Sequence, residues 1–88
     1  MLRRYWFRFR LAADAAPAPG VRLGCGVTAY NYEDALHLLL QVVFTNDVLP
    51  PIQEVIEDVD VSTLDANHVL PNMGVPIWRG VWFPQNSS

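Results

Sequence analysis

The chain has 88 residues, 51% of them hydrophobic, 11% aromatic and only 17% charged, with a formal net charge of −3. This length allows one small core and excludes a separate substrate domain. The charge argues against a general polyanion-binding surface, and with no lysine present Schiff-base chemistry is excluded.

Taken in order, residues 4–11 alternate: Tyr5, Phe7, Phe9 and Leu11 point one way, and Arg4, Trp6, Arg8 and Arg10 the other. The two-residue period predicts a strand. "AADAAPAPG" (12–20) interrupts it, because Pro17 and Pro19 lack backbone donors and Gly20 permits a turn, so a mobile hairpin connection is expected there. A second strand is expected over 21–29, with Gly24 and Gly26 marking a bulge or a close backbone approach.

"NYEDALHLLLQVVF" (31–44) predicts a helix with Asn31 as N-cap and Asp34 as its acidic partner in the first turn. Leu36, Leu39, Leu40 and Val43 form the expected buried stripe; Asp34, His37, Gln41 and Thr45 form the polar one. Pro50 and Pro51 prevent its continuation. Residues 52–61 carry both helical and strand spacing, and their β-branched content favours a strand with a bulge near Glu57. A last strand is expected over 77–83, stopped by Pro84, with a frayed tail at 84–88.

The order strand, strand, helix, strand, irregular segment, strand predicts a single α+β domain over 1–88. It is a two-layer sandwich in which one main helix packs on one face of a sheet of about four strands. Arg8, Arg10 and Asp14 interrupt any apolar signal-peptide core, and no run is long enough to span a bilayer, so a soluble cytoplasmic protein is expected, without membrane contact. The lone Cys25 excludes an intramolecular disulfide and agrees with a reducing compartment.

Charge is unevenly placed. Arg3, Arg4, Arg8, Arg10 and Arg22 are five of the six cations, whereas eight of the nine acids lie between Glu33 and Asp65, a polarity suited to an oriented contact.

Three constellations invite a functional reading. "DVDVSTLDANH" (58–68) offers Asp58, Asp60, Asp65 and His68 as an oxygen-rich divalent-metal site with one imidazole; the alternative is a strand end followed by a turn that Ser62 caps with Asp65 as its partner. Cys25 sits between two glycines with His37 the nearest imidazole, so it is either a reactive thiol or a small core residue. "GCG" lacks the spacing of either nucleotide-binding fingerprint.

The third constellation is Trp6 among Arg4, Arg8 and Arg10, joined by Trp78 and Trp82, which are spaced to share a strand face. Tryptophan and arginine are the residues that protein interfaces favour. The competing reading folds Leu64, Val69, Leu70 and Met73 over this face.

The leading expectation is therefore a small non-catalytic protein-binding module, either dimer-forming or a specific partner or antidote of another protein, that needs no cofactor. The alternatives are a small metal-dependent or cysteine-dependent enzyme and, third, single-stranded nucleic-acid binding by stacking on Trp6. The net negative charge disfavours nucleic acid.

Overall fold

The structure is a computed structural model that describes residues 1–11, 21–45 and 49–84. The expectations for 12–20 and for the tail beyond Pro84 lie outside the described residues. Four strands, β1 (Arg3–Phe9), β2 (Cys25–Ala29), β3 (Ile52–Glu57) and β4 (Gly80–Phe83), and one helix, α1 (Tyr32–Val42), form the expected α+β sandwich. The sheet order is β3-β1-β2-β4, with every neighbouring pair antiparallel. β2 and β3 therefore run parallel on either side of β1, and the chain passes between them through α1.

The alternation in β1 divides the molecule. Tyr5, Phe7 and Phe9 join Cys25, Val27, Ala29, Ala35, Leu38 and Leu39 in a core beneath the helix. Trp6 points to the opposite face, where Val59, Val69, Trp82 and Phe83 form a second core flanked by Val61, Leu64 and Met73. The sheet is thus covered on both faces, by α1 on one and by the irregular segment 58–79 on the other.

Asn31 caps the helix as expected, its side-chain oxygen accepting from the Asp34 amide at 2.8 Å. Asp34 returns a bond to the Tyr30 amide at 3.0 Å, one residue before the cap, and so satisfies a donor just outside the helix. The most deeply buried stripe is Ala35, Leu38 and Leu39, with Leu36 and Val43 at its margin. The position of the sheet beneath α1 turns Leu38 inward, beside Leu39.

Each of the four strands differs from expectation at a boundary, β1 running Arg3–Phe9 where 4–11 was expected. β2 begins at Cys25, because residues 21–23 form a turn closed by the Gly24 amide donating to the Val21 carbonyl at 3.0 Å. β3 stops at Glu57: Asp58 adopts φ 55°, and the Val59 amide reaches the Arg4 carbonyl at 3.3 Å. The irregularity within the β1–β3 pairing lies at Arg8 and Phe9. β4 begins only at Gly80, whose φ of 147° a side chain would strain, so Trp78 precedes the strand instead of alternating within it. The register also shifts between Gly26 and Val27, and Trp82 and Phe83 consequently both contribute to the second core.

Candidate protein-contact site

Trp6 and Trp82 are 5% and 2% exposed, so neither offers a free ring at the surface. This corrects their placement as interface residues and leaves no open ring on Trp6 for a base to stack on. Their ring centroids lie 5.9 Å apart with planes 29° from parallel, and Trp6 also meets Phe83 at 5.7 Å. The two glycines of "GCG" make this packing possible. A Cβ at Gly24 would come within 2.6 Å of the Trp6 indole, and one at Gly26 would overlap the ring of Trp82. Gly24 additionally has φ 134°.

Between those glycines Cys25 faces the helix core with no exposed surface, and burial pushes its thiol up to about 12. A thiol so buried and so weakly acidic is a poor nucleophile at neutral pH. His37 lies on an exposed position of α1.

The acidic stretch is organised as turns. Asp60 accepts from the Ser62 amide at 3.0 Å and the Ser62 hydroxyl at 2.7 Å, which holds its carboxyl below the usual range. Asp65 accepts from the Asn67 and His68 amides at 2.7 and 3.0 Å, with the same effect. Asp60, and not Ser62, is the cap of the first turn. Asp58 faces Arg3 at 3.9 Å, and His68 Nδ1 lies 3.4 Å from Asp65. Among the described residues no three His, Cys, Asp or Glu side chains come together as a metal-holding group, so Asp58, Asp60, Asp65 and His68 are not brought into one site. Backbone amides hold one carboxylate oxygen of Asp60 and one of Asp65 in their turns.

The arginines of β1, and Arg10 just beyond its end, remain at the surface. Arg8 faces Glu54 at 3.7 Å, Arg4 and Arg10 are exposed, and Arg10 donates its backbone amide to the Pro51 carbonyl at 2.8 Å. Trp78 also remains outside, at 69% exposure, with Val75 and Ile77 exposed before it. This apolar segment is braced. The Trp82 indole N–H donates to the Thr28 hydroxyl at 3.1 Å, and that hydroxyl donates to the Pro76 carbonyl. The Gly74 amide donates to the Trp82 carbonyl at 2.7 Å.

On the other side of Trp78, Arg79 donates through Nε and Nη2 to the two carboxylate oxygens of Asp34, at 2.9 and 2.5 Å, and lies 5.7 Å over the Tyr30 ring. These bonds and the Tyr30 amide bring the Asp34 carboxyl down to about 2. Thr28, Tyr30, Asp34 and Arg79 carry no motif that marks them as bracing residues, and Asp34 and Arg79 lie 45 positions apart.

Beside this segment a cleft of about 200 Å³ is lined by Leu2, Arg3, Arg4, Thr28, Asp58, Pro76 and Ile77. Among the described residues no helix is long and apolar enough to cross a membrane. Compared with protein-family models, curated proteins and solved structures, the chain matches none.

Proposed function

We propose that the chain is a non-catalytic protein-binding module whose contact surface is the braced segment 75–78, centred on Trp78. The observation that carries this reading is a tryptophan 69% exposed on a segment tied down on both sides, through Thr28 to Pro76 and through Asp34 to Arg79. An exposed aromatic on a pre-ordered backbone loses less conformational entropy on binding than one on a free loop, and buried tryptophans are frequent energetic centres of interfaces. Val75, Ile77 and Tyr30 add exposed apolar surface. Arg4 and the other β1 arginines supply charge that can orient an encounter.

A protein partner is favoured over a small-molecule substrate, because the Cys25 thiol is buried and the Asp60 and Asp65 carboxylates are held in turns. The partner is a second copy of the chain or another protein in the same compartment. A lone buried thiol is compatible with the reducing cytoplasm.

Sedimentation velocity and affinity capture from the native host, run in parallel on the wild type and Trp78→Ala, test this. The expected result is an association that Trp78→Ala weakens by about 2 kcal/mol or more, with no loss of melting temperature. A strictly monomeric wild type that captures nothing, or capture that is indifferent to Trp78→Ala, would overturn it.

A further inference from the structure

We propose that the cleft between the start of β1 and the segment at Pro76 and Ile77 receives a carboxylate from an acidic segment of the partner, with an adjacent apolar side chain resting on Ile77 and Trp78. The inference rests on the protein-binding reading above and adds to it the chemistry of the partner.

The cleft carries Arg3 and Arg4 against one acid, Asp58, so its lining is net positive within a chain whose formal charge is −3. Among the described residues Arg4 has no carboxylate within 4 Å, and its electrostatic partner is the Asp60 carboxyl, which it helps to hold below the usual range while Asp60 itself is bonded to Ser62. Arg3 meets Asp58 only at 3.9 Å, with both side chains at least half exposed, and so wide an exposed pair holds its guanidinium weakly. The Thr28 hydroxyl is already committed to Pro76 and Trp82, which leaves the two guanidinium groups as the charged donors at the mouth.

Guanidinium matches carboxylate geometry through paired N–H donors. A surplus of one positive charge suits a carboxylate better than a phosphate dianion. Screening over about 8 Å at physiological ionic strength removes the more distant acids from the balance, and Asp60, which does feel Arg4, is not part of the cleft lining. Apolar surface stands at the rim, where Leu2 and Ile77 line the cleft and the exposed Trp78 follows Ile77 in the chain. The partner sequence that fits is an Asp or Glu within two residues of an aromatic or branched apolar residue.

The experiment is selection of a random peptide library on the intact protein, followed by affinity measurement of the selected peptides on the wild type, Arg4→Gln and Trp78→Ala. Melting temperatures would verify that both exposed substitutions leave the fold intact. The expected result is selected peptides with that acidic–apolar pattern, each about tenfold weaker on Arg4→Gln and equally weakened on the wild type when its acid is changed to the amide. Peptides that require Trp78 but lack an acid, or that ignore Arg4→Gln, would overturn the carboxylate inference and leave the protein-binding reading standing. Displacement of the peptides by inorganic phosphate at lower concentration than by acetate would also overturn it, since a phosphate site would then be the better description. Selection of no peptide would count against both.

Discussion

Gly26 lies directly beneath the indole of Trp82, so close that a single added methyl group would occupy the ring. Its neighbour across the sheet is Trp6, which stacks on the same indole. The pair explains why a strand with a good hydrophobic pattern contains a glycine: the backbone itself forms part of the wall of the second core. Gly26→Ala is expected to destabilise the fold by about 1–3 kcal/mol through overpacking, read as a lower midpoint in urea with little change in slope. An unchanged midpoint would mean that Trp82 sits elsewhere.

Trp6 and Phe7 point to opposite faces, and both faces are closed. Trp6→Ala and Phe7→Ala should therefore each cost about 3–5 kcal/mol of stability, the cost of truncating a buried aromatic. Had the Trp6 face been open, Trp6→Ala would have affected association alone. Denaturant unfolding of the two variants side by side checks the equivalence.

How legible each element was depended on the range of the interactions that define it. The β1 alternation and the Asn31 cap were readable because a two-residue period and a side chain bonding three residues ahead are local. The glycines of "GCG" could be read as a close approach, but not what approaches Gly26, since Trp82 is more than fifty residues away. The extent of the last strand misled because Ile77 and Trp78 continue its apolar pattern; Gly80 and the register shift at Gly26 break it, and both depend on tertiary pairing. The strand order and the Asp34–Arg79 bond were invisible for the same reason. Of the interface candidates, the exposed arginines and Trp78 remain at the surface, and Trp6 and Trp82 do not.

Thr28 is the buried polar residue through which the indole of Trp82 and the carbonyl of Pro76 are joined. Thr28→Val keeps the shape but strands the indole N–H and releases Pro76. A loss of about 1–3 kcal/mol is expected from the unsatisfied donor. Faster amide exchange confined to residues 74–79 would mark the release of the contact segment.

Asp34 supplies a pH dependence with a definite sign. Its carboxyl lies at about 2 in the folded chain against an ordinary 3.8, because Arg79 and the Tyr30 amide favour the ionised form. Its stabilising contribution is full above 3.8 and disappears as pH falls toward 2. Asp34→Asn should be less stable than the wild type at neutral pH, and thermal melts at stepped pH should show the difference narrowing below 3.8 and closing near 2. A constant difference across that interval would mean that the Arg79 contact does not persist in solution.

The contact surface assigned to Trp78 depends on one tryptophan facing outward while the other two are enclosed, and collisional quenching of tryptophan fluorescence by acrylamide measures that division most directly. Trp78 is 69% exposed, against 5% for Trp6 and 2% for Trp82. The wild type should therefore contain one readily quenched fraction, and Trp78→Phe should lose it, leaving blue-shifted emission that resists the quencher until the protein is unfolded. Emission from Trp78→Phe that is quenched as readily as that of the wild type would place Trp6 or Trp82 at the surface and contradict both the covered sheet and the assignment of the contact to Trp78.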